Sequence, residues 1–164
     1  MVKKIIKFED AQIIFKNFEG KETQFNREGN RNFCVLIDDE EVAATLMNDG
    51  WNIKTLNPRE DDPDDERRYY LPVSVSYANI PPKIYVIRGN KQTLMNERTI
   101  GELDYAIITN VDLAVRPYNW EINGKTGVKA YVKVMYVTVE EDEFSDKYAA
   151  FESPSDDDPD ELPF

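Results

Sequence analysis

The sequence predicts a mostly-β domain: a small barrel, closed or partly open, of five to seven strands with one or two short helices. Three observations predict it. Apolar and polar residues alternate in segment after segment, turn-forming residues separate the segments, and only one stretch carries a clear helix signature. A hydrophobic fraction of 41% in 164 residues supplies one core and nothing suggests two.

Taken in chain order, "MVKKIIKFED" starts like a leader, but its apolar stretch is only Ile5-Ile6 before Lys7, so no leader is expected. "AQIIFKNF" (Ala11–Phe18) reads as a strand and "RNFCVLID" (Arg31–Asp38) as its partner, with Asn26, Gly29 and Asn30 supplying the turn. Asp38 or Asp39 then caps a helix with Glu40 and Glu41 in its first turn. Val42, Leu46 and Met47 form its apolar stripe and Gly50 ends it. "WNIKTL" is a short strand. "NPREDDPDDERR" (Asn57–Arg68) is an exposed loop, because its acids lack the register and the central glycine of a calcium loop. "YYLPVSVSYA" and "KIYVIR" are strands, and "TIGELDYA" is a short helix or a loop. "IITNVDLAVRPYNW" and "VKAYVKVMYVTVE" are two long strands that close the domain.

Composition narrows the chemistry. Histidine is absent, which removes the commonest general base and every Ser-His or Cys-His dyad, so an enzyme is disfavoured. The single cysteine, Cys34, excludes an internal disulfide, agrees with a reducing cytoplasmic setting, and reads as a small core residue. No window approaches the ~18 apolar residues of a membrane span. The formal charge of −12 argues against nucleic acid until its distribution is considered. Six acids and no bases fall from Phe151 onward, and six acids against three arginines fall in Asn57–Arg68. The remaining body holds 20 acids and 17 bases, which leaves room for a basic face.

The last two strands carry that face. Residues two apart in a strand point the same way. Arg116, Tyr118 and Trp120 therefore share one side if no bulge intervenes, as do Lys129, Tyr131 and Lys133, opposite an apolar set of Val128, Ala130, Val132 and Val134. Paired through "EINGKTG", with Lys125 beside the turn, they offer cations for phosphates and flat rings for bases, which is what a single strand of nucleic acid requires. An ordinary outer barrel face with snorkelling lysines has the same pattern. "NGKT" itself is a hairpin turn and not a phosphate loop, since Asn119 stands where the first glycine belongs and a strand follows instead of a helix. Arg27 and Arg31 flank Gly29 and either reach phosphates from a loop or are two surface arginines; Tyr69 and Tyr70 beside Arg67 and Arg68 pose the same choice, as do Lys83, Tyr85 and Arg88 in "KIYVIR". Asp104 and Asp112 stand as metal candidates only because they lie apart from the acidic runs.

The end of the chain, "SPSDDDPDELPF", joins Asp156, Asp157, Asp158, Asp160 and Glu161 to a terminal Pro163-Phe164. It resembles the acidic, aromatic-tipped tails of bacterial and phage single-stranded DNA-binding proteins. The body is similar to the small phage-encoded members of that group over "IIFKNFEG", "FNREGNRNFCVLIDDE", "DGWNIKTLNPR", "VSVSY" and "LAVRPYNWEINGKTGVKAYVKVMYVTVEEDE", with Lys147-Tyr148 after them. The resemblance implies an OB-fold over residues 1–150 that coats single-stranded DNA with little sequence preference in phage replication or recombination, without catalysis or cofactor. It also implies a disordered tail over 151–164. There Phe164 would enter a pocket on a replication or recombination protein while the acids steer the encounter, and the same acids would cover the protein's own basic face when DNA is absent. Arg116, Lys125, Lys129 and Lys133 would then neutralise phosphate, and Tyr118, Trp120 and Tyr131 would stack on bases. A protein-interaction or virion-associated module without DNA binding, and a small metal-dependent enzyme, are the competing readings.

Overall fold

The computed structural model describes residues 4–64, 66–78 and 80–141; the tail residues Asp156, Asp157, Asp158, Asp160, Glu161 and Phe164 lie outside the described residues. Among the described residues, nine strands and one α-helix form in the order β1 (Ile6–Phe8), β2 (Ile13–Asn17), β3 (Arg31–Ile37), α1 (Glu40–Asn48), β4 (Lys54–Leu56), β5 (Arg68–Val75), β6 (Lys83–Arg88), β7 (Lys91–Met95), β8 (Ile108–Ile122) and β9 (Lys125–Val139), with a 3-10 turn at Ile100–Asp104 before β8. Every expected strand is present. β1 and β7 are additional: the first is three residues long and hidden in the leader-like start, and the second, "KQTLM", is a polar edge strand with little alternation.

The strand path is β1-β8-β9-β5-β3-β2, all antiparallel except β5 against β9. Its two ends, β1 and β2, are consecutive in the chain. Between them the Ala11 N–H donates to Val111 O at 2.8 Å on β8, and the Leu36 N–H donates to Gln12 O at 2.9 Å on β3. The mixed sheet thus curls until one stretch of chain touches both of its ends, a partly open five-stranded barrel of the OB type. A side ribbon extends it, with β6 running parallel to the distal half of β9 and β7 antiparallel to β6.

Inward side chains fill the barrel at full burial, led by Phe18, Phe33, Leu71, Ile84, Ile100, Leu103 and Met135. Each such side chain contributes roughly 1.5–3 kcal/mol through removal from water. Pro72 stands mid-strand in β5, normally a forbidden place. It falls between the residues paired with β4, which end at Tyr70, and those paired with β9, which begin at Val73, so its missing N–H interrupts neither ladder. Asp39 caps α1 as expected, accepting from the N–H groups of Glu41 and Val42. The apolar stripe differs: Ala43 and Leu46 face the core, while Val42 and Met47 are exposed. Trp51, just past the helix, is only 4% exposed.

Candidate nucleic-acid interface

β8 and β9 pair as a hairpin through the expected turn, and the structure sets the register at its tip. Arg116 opposes Tyr131, Tyr118 opposes Lys129, and Trp120 opposes Gly127. Asn123 (φ 52°) and Gly124 (φ 81°) form the two-residue turn, with the positive φ values that match strand twist. On the outer face the Arg116 guanidinium lies 4.9 Å and the Lys129 ammonium 5.3 Å from the centroid of the Tyr131 ring, which Tyr118 meets edge-on at 6.1 Å. The Trp120 indole covers Gly127 so closely that a Cβ there would overlap it. Lys125 is exposed beside the turn.

A bulge alters the reading further along β9. The register slips between Ala114 and Val115 on β8, opposite Val134 and Val132, which leaves Lys133 as the extra residue. Lys133 and Val134 therefore both leave the core, and Met135, Val137 and Val139 continue the inward set in place of Val134. The expectation that Val134 belongs with Val128, Ala130 and Val132 is corrected on that ground.

The hairpin face does not stop at β9. Tyr131 pairs with Ser74 on β5, Ser74 with Asn32 on β3, and Asn32 with Asn17 on β2. One row, Arg116–Tyr131–Ser74–Asn32–Asn17, thus crosses the outer face of five strands, about 19 Å at the usual strand spacing. At its β2 end, where Asn17 and Asn32 form part of the wall, lies a groove of about 860 Å³ whose lining also includes Phe15, Lys21, Phe25, Cys34, Lys54, Tyr70 and Tyr105.

Four aromatic residues line that groove, and three of them, Phe15, Phe25 and Tyr105, were not legible as site residues. Phe15 sits at a bulge in β2, where Ile14 pairs with Cys34 but the next pair is Asn17 with Asn32. Its backbone is left-handed (φ 53°), and it is 61% exposed and edge-on to Tyr70 at 5.8 Å. A phenylalanine held at positive φ is uncommon and strained, and the bulge aims its ring out of the sheet. Phe25 is 90% exposed on the loop before β3. That loop is braced by the Asn26 side-chain amide, which donates to the carbonyls of Lys21, Arg27 and Asn30 and accepts from Asn32. Tyr105 is exposed and donates its hydroxyl to Glu19 at 2.8 Å, while Lys21 lies 4.8 Å over its ring. The Tyr105 hydrogen bond holds the Glu19 carboxyl below, and the Lys21 ammonium above, its usual range. Only Tyr70 carried a sequence signal, as an aromatic beside arginines; the other three depend on where a bulge and two loops point.

The remaining expected residues are distributed differently. Arg27 is exposed on the braced loop. Arg31 is off the row by its register, in the alternation of the inward Phe33 and Val35, and pairs with Glu97 at 3.5 Å. Tyr85 lies on the ribbon, stacked on Tyr136. Cys34 is not a core residue: it points outward from β3 into the groove floor, where burial pushes its thiol up to about 11. Asp104 and Asp112 are on separate sides of the barrel and both are occupied. Asp104 accepts from the N–H groups of Phe18 and Glu19, and Asp112 from the Asp10 N–H and the Asn110 amide. Among the described residues no three acidic or thiol side chains converge as metal ligands.

Comparisons with known proteins agree with this geometry. The family model of the phage ssDNA-binding domain matches residues 1–160. Among solved structures, the chain is similar to the single-stranded DNA-binding protein from bacteriophage Enc34 in its C-terminally truncated form, at TM-score 0.53 and 11% identity over 84% of this chain and 87% of that one. The same phage protein in complex with ssDNA matches at TM-score 0.51 and 14% identity over 85% and 89%. No curated protein sequence matches the chain significantly. With 160 of its residues matched, the chain belongs to the phage ssDNA-binding domain family.

Proposed function

We propose that the protein binds single-stranded DNA across the outer face of β2, β3, β5, β9 and β8. The observation that carries this reading is the in-register row from Asn17 to Arg116, flanked at one end by Phe15, Phe25, Tyr70 and Tyr105 and at the other by Tyr118, Trp120 and Tyr131. Lys21 and Lys54 flank the first set, and Arg116, Lys125 and Lys129 the second. Rings stack on bases of any sequence, so such a face coats a strand with little sequence preference. The cations meet phosphate and make binding salt-sensitive. A duplex hides its base faces and offers the rings nothing to stack on.

The tail completes the proposal. Residues 151–164 bring six acids and Phe164 to a body that, apart from its Asn57–Arg68 loop, holds 20 acids against 17 bases. They recruit a replication or recombination protein and compete with DNA for the basic face.

The test is a titration of intrinsic tryptophan fluorescence with an unstructured single strand and with duplex, at low and moderate salt. Quenching by the single strand that weakens with salt, with little response to duplex, is the expected result. Silence toward both, repeated in a label-free assay, would make the barrel a scaffold and leave protein interaction as the function.

A further inference from the structure

Beyond the hairpin tip, the outer face of β9 carries a second set of groups that the face described above does not use. Tyr136 stacks on Tyr85 of β6 at 5.0 Å with the rings 14° from parallel, and Tyr136 is 38% exposed. The pair is in register, with exposed Leu94 of β7 next to Tyr85 in the same row. Between this pair and Tyr131, the bulge turns Lys133 outward. The row beside it runs Lys7 (β1), Ala114 (β8), Val134 (β9), Lys83 (β6). It has a small, low floor at Ala114 and an exposed lysine at each end. Among the described residues, none of Lys7, Lys83 and Lys133 has an ion pair or hydrogen bond.

The tyrosine pair is not needed to hold the ribbon on. Five consecutive register pairs tie β6 to β9, and its inward Ile84 and Val86 are fully buried. On the β8 side of Tyr136 stands Asp112, whose charge turns phosphate away. The approach that remains open runs along β9 and β6, over Lys133 and Lys83.

We propose that Tyr85 and Tyr136 form a second stacking platform for single-stranded nucleic acid, joined to the Tyr131 site by the phosphate contacts of Lys133, Lys83 and Lys7. The inference rests on the proposed single-strand binding. Five residues separate Tyr131 from Tyr136, roughly 16 Å along the strand, so a short oligonucleotide occupies one platform and a longer strand spans both.

Length-dependent binding tests it, with oligothymidylates of roughly five and roughly twenty nucleotides, chosen around the span of one OB fold. Tyr136→Leu keeps apolar bulk in the strand. It is expected to weaken the long strand on the order of fivefold or more and the short one less than twofold. The double variant Lys7→Gln with Lys83→Gln alters only exposed heads, and should reduce the salt slope for the long strand by about 1.4 while leaving the short one unaltered. Tyr118→Ala, as the control for the first site, weakens both lengths. Wild-type affinity of both platform variants for the long strand overturns the second platform while the function stands. Equal losses at both lengths overturn it as well. Failure of the wild-type protein to bind either length overturns the single-strand reading and this one with it.

Discussion

Two tryptophans separate cleanly at the residue scale. Trp51 is packed among Leu46 and its neighbours in the core, whereas Trp120 lies half-exposed over Gly127 on the hairpin. Trp120→Phe should therefore abolish the quenching that single-stranded DNA produces, and Trp51→Phe should leave it intact. The reverse pattern would move the site to the other end of α1. Trp120→Ala removes a stacking surface worth ~1–3 kcal/mol and should weaken binding about tenfold or more. Cys34 gives an independent probe of the groove floor. Its thiol is raised from 9.0 to about 11 by burial, so the thiolate that alkylating reagents attack is depleted roughly 100-fold at neutral pH relative to an unshifted cysteine. Alkylation of the folded protein should be correspondingly slow and slower still with a bound strand. A rate equal to that of a free thiol, unaffected by DNA, would remove Cys34 from beneath the ligand.

The β8–β9 hairpin is the element on which the first site depends. Its reach past the barrel comes from an antiparallel ladder unbroken from the Val115–Val132 pair to the tight Asn123-Gly124 turn, and its cargo is aimed by Gly127. Gly127→Val places a branched side chain where the indole lies, and β-branched residues suit strands. The expected outcome is a strand that still forms, with the melting temperature within a few degrees of wild type, but with Trp120 displaced and single-strand affinity reduced about as far as in Trp120→Ala. Unchanged affinity and unchanged Trp120 emission would show that the ring tolerates the change, and would demote the stacking role of Trp120. The bulges in β2 and β9 act at the same scale. Each inserts one residue, and each turns out of the core a side chain, Phe15 or Val134, that strict alternation would have placed inward.

Over the whole molecule the balance is electrostatic. A chain with a formal charge of −12 repels DNA at long range unless its acids are segregated, and the tail and the Asn57–Arg68 loop do hold twelve of the 32. Deleting Asp156–Phe164 should strengthen single-strand binding, most at low ionic strength where the Debye length is longest, and abolish capture of a replication partner. Titrations of the truncated and full-length chains at two salt concentrations measure the first effect. Identical low-salt affinities would mean that the tail does not compete for the basic face. The acidic loop offers no such relief, because it joins β4 to β5 close to Lys54 and Tyr70 at the rim of the groove.

Seven of the nine described strands, a helix cap at Asp38 or Asp39 and the Asn-Gly turn were determined by the sequence, because alternation, capping and turn chemistry are local, whereas the short β1 and the polar β7 alternate too little to be read. The cation and ring set of Arg116, Tyr118, Lys129 and Tyr131 followed from the same period of two. Tertiary structure decided the rest. Which face Cys34 takes depends on which side of β3 the barrel closes, and an apolar run reads the same on either side. Phe15, Phe25 and Tyr105 enter the groove from a bulge and two loops that are distant in sequence, and no local pattern reports such convergence. The meeting of Tyr85 with Tyr136 required a parallel pairing between strands some fifty residues apart, a choice made by the closure of the barrel and not by either strand alone.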